Sequence, residues 1–183
     1  MSDPLAILLQ NLADQDRHNP HDDHVRLAAR MRARGACEYC LLPTEGGFHI
    51  DHIVPPSLWL EYTGNRLPYL QPVPERGGPD HLDNFAWCCP FCNGRKGQQL
   101  TRRIDGRLHR LFDPRTDHWP EHFMFIHQYL HIVGVTAIGR ATVAALGINR
   151  AQPLYGPLAI RHVRRLRGQY PPPGAAAWAD EAE

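Results

Sequence analysis

Cys37-Glu38-Tyr39-Cys40, His49-Ile50-Asp51-His52-Ile53-Val54-Pro55 and Cys89-Pro90-Phe91-Cys92-Asn93 are the three segments on which the reading of this chain turns. A C-x2-C pair wraps a tetrahedral metal with two thiolates, and two such pairs complete a four-cysteine shell. The spacing predicts a structural zinc ion held by Cys37, Cys40, Cys89 and Cys92, set against the alternative of four free core thiols. Such a clamp pins both ends of the segment that carries Asp51 and His52 to one point. A carboxylate, an imidazole and the Asn93 carboxamide then gather, which is the side-chain set of a hydrolytic metal centre. Cys88 has the wrong spacing for the same knuckle and reads as a strand residue.

Outward from these segments, residues 48–53 alternate side chains and include β-branched residues, so they predict a strand; residues 85–88 predict a second. Residues 54–83 are rich in Pro and Gly and predict a long loop with a short helical turn at 57–62. A helix is expected to begin at Asn93 and run to about residue 100. Upstream, residues 22–34 predict a helix capped by Asp22 or Asp23 and ended by Gly35. Downstream, Asp105-Gly106 predicts a hairpin turn, residues 122–126 and 130–135 two more strands, and residues 136–145 a helix capped by Thr136 and closed by Gly147. A last helix is expected over 158–166. The fold class is therefore α+β. Its expected divisions are a loose arm at 1–21, a catalytic unit at 22–100, an extension at 101–168 and a disordered tail at 169–183.

The chain has 183 residues and a formal net charge of +1, too weak a balance to mark a nucleic-acid binder by itself. The distribution is uneven: residues 1–100 are net acidic and residues 101–183 net basic. Lys96 is the sole lysine, so the cationic surface is almost all arginine, whose fork suits phosphate. No apolar run is long enough to span a membrane. The N-terminus lacks a basic residue before its short apolar run, and paired C-x2-C spacing favours a reducing compartment, so a cytoplasmic location is expected.

Residues 36–97 resemble the HNH endonuclease family, whose active site is the ββα-metal finger. The match lies in Cys37-x2-Cys40, Asp51-His52-Ile53-Val54-Pro55, Gly77-Gly78, Asp83-Asn84 and Cys89-x2-Cys92-Asn93-x2-Lys96, in that order. Leu111-Phe112-Asp113-Pro114-Arg115, with Trp119 and His122-Phe123, is similar to the C-terminal part of a bacterial subfamily of small HNH proteins. The resemblance implies an HNH finger cutting DNA, or else RNA. In it His52 is the general base, Asp51 and Asn93 hold a catalytic Mg2+ or Mn2+, and Asn84 braces the loop between the strands. The stretch 57–76 is longer than the minimal family spacer.

The chemistry suits those residue types. A neutral imidazole takes a proton from water near neutral pH. A hard cation prefers the oxygen donors that Asp51 and Asn93 supply. Each residue also has a plainer reading: Asn93 as the cap of the helix it opens, His49 as a packed strand neighbour, His81 as a solvated loop residue. Arg95 and Lys96 on the finger helix and Arg161, Arg164 and Arg165 on the last helix are expected to touch nucleic-acid phosphate, with a solvated helix face as the alternative. The competing function is a zinc-knuckle nucleic-acid-binding protein that does not cut.

Overall fold

Asp3 accepts a hydrogen bond from the Leu5 amide, and Pro4 fits the first helical position, so α1 runs Pro4–Leu12. A computed structural model describes residues 3–150 except 14, 16, 43–46, 68–69, 71–73 and 127–129. The helix expected over 158–166, with Arg161, Arg164 and Arg165, and the tail from 169 lie outside the described residues. The arm expected to be loose is docked. Leu12 and His18 are buried, Leu8 and Leu9 pack on the core, and the His18 ring bridges the Leu12 carbonyl and the Leu82 amide, each at 3.1 Å. Helix α2, Asp23–Arg32, is capped by Asp22, which accepts from His24 and Val25. It buries Val25, Ala28 and Ala29, three positions on one helical face.

Strand β1, His49–His52, pairs antiparallel with β2, Phe85–Cys88, placing Asp51 opposite Ala86 and His52 opposite Phe85. Between them run a 3-10 turn at Pro56–Leu58 and α3 at Trp59–Thr63, close to the predicted 57–62. Helix α4, Pro90–Lys96, follows β2 at once. It begins three residues before the expected start: Cys89 acts as cap and Pro90 takes the first turn, where its missing N–H costs nothing. Asn93 therefore sits inside the helix, so the capping role considered for it falls away.

Asp105 and Gly106 both adopt positive φ, 49° and 77°, and close the hairpin of β3, Thr101–Ile104, with β4, Arg107–Arg110. This is the primed turn geometry that matches strand twist. A short helix α5, Trp119–His122, leads into β5, Phe123–Ile126, which pairs with β6, His131–Gly134. Helix α6, Ala137–Leu146, is capped by Thr136 and ends on left-handed Gly147. It lies very close to β6: a Cβ at Gly139 would meet the His122 carbonyl oxygen at 2.0 Å, and one at Gly134 would meet the Arg140 nitrogen at 2.1 Å.

The molecule is thus α+β, with three two-stranded antiparallel sheets among the described residues. One large buried cluster joins Leu12, Val25, Tyr39, Phe85, Trp87, Phe112, Trp119, Phe123, Phe125 and Leu146, while α3 and the β3–β4 hairpin pack in two smaller ones around Tyr62 and Ala141. The segment after residue 100 shares this core with the cysteine-bearing segment. Among the described residues no helix is long and apolar enough to cross a membrane.

Candidate metal centre and adjoining cavity

The Cys37 amide donates to the Leu42 carbonyl and the Leu41 amide to the Cys37 carbonyl, with Leu41 at φ 59°. This tight turn points both of its thiols at the start of α4. There the Cys92 amide donates to Cys89 Sγ at 3.4 Å. The four sulfurs of Cys37, Cys40, Cys89 and Cys92 lie within 4.8 Å of one another, with Cys40 and Cys89 3.8 Å apart. A tetrahedron with bonds of about 2.3 Å to its centre has edges of about 3.8 Å, so the cluster has the size of a thiolate metal shell. All four cysteines are buried. The donor chemistry fits zinc, and four thiolates leave no open position for water. Cys88 is also buried but stands outside the group; burial first, and then the Cys37 sulfur, push its thiol well above the ordinary value.

Next to the cluster, Asp51 points inward and is 4% exposed. Its carboxylate accepts from the Tyr39 hydroxyl at 2.8 Å and from Lys96 Nζ, which lies 3.1 Å from each carboxylate oxygen. Lys96 also donates to the His52 carbonyl at 2.8 Å. Burial pushes the Asp51 carboxyl up, opposed by the Lys96 ammonium and the Tyr39 hydrogen bond. Burial, and then the Asp51 charge, push the Tyr39 hydroxyl well above its usual value, so it keeps its proton and donates. The expectation that Lys96 reaches for phosphate from an exposed helix face is corrected here. Lys96 is 1% exposed and spent on Asp51 and the β1 backbone, because α4 packs this side against β1.

His52 lies on the opposite face of the strand, edge-on to Phe85. Its Nε2 meets Asp80 Oδ1 at 3.1 Å. Asp80 is held in turn by Arg17 at 2.6 Å, and it ties the N-terminal segment to the histidine. The Arg17 guanidinium, and behind it His52, hold the Asp80 carboxyl below its usual range against the opposing effect of burial. A carboxylate only accepts, so the ring nitrogen that donates to it is Nε2, and Nδ1 is turned away from Asp80.

Asn84 is fully buried and clamps both ends of the loop. It accepts from the Val54 amide at 2.9 Å and donates to the Val54 and Pro79 carbonyls at 2.8 and 2.9 Å. Asn93 is half-buried and, with Asp51, His52, Pro55 and Ser57, lines a cavity of about 420 Å³. Asp51, His52 and Asn93 thus share one cavity, though the Asp51 carboxylate is also engaged behind it. Arg95 is half-buried, with its guanidinium 4.5 Å above the Phe91 ring. His49 is exposed, and the His81 ring accepts from the Asp83 amide.

Sequence reasoning missed Tyr39 and Asp80. Tyr39 lies between two cysteines, where the knuckle turn buries it beside β1. Asp80 lies in a long Pro- and Gly-rich loop, whose course no periodicity announces. Comparison of the chain with family models, with curated proteins and with solved structures finds no match.

Proposed function

We propose that the chain is a metal-dependent HNH endonuclease that hydrolyses phosphodiester bonds in DNA. The observation that carries this reading is the single cavity lined by Asp51, His52 and Asn93 beside four clustered thiols. In this reading zinc fills the thiol cluster and fixes β1, β2 and α4 relative to one another. Asp51 and Asn93 hold Mg2+ or Mn2+, which when bound stabilises charge on the departing 3′ oxygen. The two Asp51 oxygens offer about four lone-pair sites, and Tyr39 and Lys96 use only part of that capacity. Asp80 orients His52 by accepting from Nε2, and Nδ1 takes the proton from the attacking water. Asn84 keeps the two loop ends together, and so keeps the His52 end of β1 in place. The products are a 5′-phosphate and a 3′-hydroxyl.

The Asp51–Lys96 pair favours one second reading. An ammonium beside the carboxylate competes with a cation for it, as in a nucleic-acid-binding finger that does not cut. Incubating supercoiled plasmid, and in parallel a structured RNA, with Mg2+ or Mn2+ separates the readings. Nicking of the plasmid by the wild type is expected, with about a 10²- to 10⁴-fold loss in His52→Ala, the usual worth of a general base. Equal nicking by both proteins, or none by either, overturns the nuclease reading; cutting of RNA alone reassigns the substrate.

A further inference from the structure

Arg32, Arg76 and Arg115 converge on one cavity of about 490 Å³, although they come from the end of α2, the loop after α3 and the turn after β4. It shares no lining residue with the cavity at His52. Arg32 donates to the main-chain oxygens of Leu82 at 3.0 Å and Phe85 at 2.6 Å, and forms no ion pair among the described residues. Arg76 pairs with Asp113 and donates to the Asp83 carbonyl; Arg115 pairs with Glu38. Each guanidinium still keeps a buried Nε–H with no partner among the described residues.

The acids nearby do not cancel this charge. Glu75 is exposed and the Asp83 side chain is 60% exposed, so water screens both. Inside, three guanidinium groups face two carboxylates, Glu38 and Asp113. Burial, and then the neighbouring Arg32, lower Arg115 to about 9. Burial lowers Arg32 to about 10, with Asp83 raising it and Arg76 lowering it further. Crowded cations with unused buried donors are costly unless an anion joins them. Three guanidinium groups lining one cavity from three elements suit the oxygens of a tetrahedral anion better than the two of a planar carboxylate.

We propose that this cavity binds phosphate, as the free ion or as a phosphomonoester, on the guanidinium groups of Arg32, Arg76 and Arg115. The site does not depend on the nuclease reading. The full chain, kept in its purified metal state and without added divalent cations, is titrated by calorimetry with sodium phosphate against sodium chloride at matched ionic strength. Adenosine 5′-monophosphate is run beside adenosine. Nitrogen-15 NMR follows the arginine Nε–H signals during the same titration. Saturable one-site binding is expected, with shifts confined to these three arginines. Arg32→Gln should weaken it about ten- to a hundredfold, while His52→Ala leaves it unchanged. Binding of the monophosphate but not of adenosine identifies a phosphomonoester site; binding of the inorganic ion with exclusion of the nucleotide identifies a free-phosphate site. A phosphate response equal to that of chloride, or shifts at other arginines only, overturns the proposal. So does unweakened binding in a folded Arg32→Gln protein.

Discussion

Lys96 shows how one residue can be legible in type and misplaced in role. Its position after Cys92-Asn93 was readable, but its direction depended on where α4 began. Because Pro90 starts the helix, the Lys96 side chain turns toward β1 and lies buried against Asp51. Removing one member of a buried pair strands the other charge. Lys96→Met is therefore expected to cost about 3–5 kcal/mol in urea unfolding. The double variant Asp51→Asn/Lys96→Met should recover part of that loss, because Tyr39 can still donate to the carboxamide oxygen that replaces the carboxylate. Asp80 gives the pH-dependent counterpart. Its carboxyl is depressed in the fold relative to an unfolded value of about 3.9, so its contribution is fully present above that pH and fades as pH falls through the lower folded value. Arg17, its partner, is 80% exposed, which limits the effect to about 1 kcal/mol or less. Thermal unfolding of Asp80→Asn should show a small deficit near neutral pH that closes as the pH falls through the depressed folded value. A gap that persists unchanged in acid would remove the carboxylate from the account.

At the scale of elements, turn and cap chemistry was the most readable signal. Asp105-Gly106, Thr136 and Gly147 each occupy the place their backbone preference indicates. The β1–β2 pair was readable for the same reason, since alternation and flanking cysteines bounded both strands. Helix α1 was not: it is a single short apolar stretch whose stability comes from docking on α2 and the core. The approach of α6 to the β5–β6 hairpin was equally invisible, because a glycine in a helix normally signals weakness. Here Gly139 lets the His122 carbonyl come close, and the Val135 amide bonds that same oxygen at 2.9 Å. Gly139→Ala would gain about 1 kcal/mol of helix propensity on an isolated helix. In this protein the variant is expected to be less stable by about 1–3 kcal/mol, measured by chemical denaturation, because the obstructing atom is backbone and cannot swing aside.

For the whole molecule, the four cysteines link a turn before β1 to the cap of α4, and the shared core then joins that unit to the β5–β6 hairpin and α6. Metal bound there should be worth about 10–16 kcal/mol in apparent binding free energy. Elemental analysis is expected to find one zinc per chain, and Cys92→Ser to lose it together with cooperative thermal unfolding. A variant that melts like the wild type would make the cluster a plain thiol core. Its composition was readable from spacing alone; its junction with residues beyond 100 was not, since no local pattern reports which distant apolar faces meet. The clamp made by Asn84 carries a different consequence. It joins Val54 to Pro79 at the neck of the long connection, so the chain inside that neck is already closed whatever its length. Lengthening a closed connection twofold adds only about 0.6 kcal/mol. The neck is thus a docking port for grafted sequence: a foreign peptide spliced between Asn65 and Arg66, both exposed, would change what the protein meets while leaving its scaffold standing.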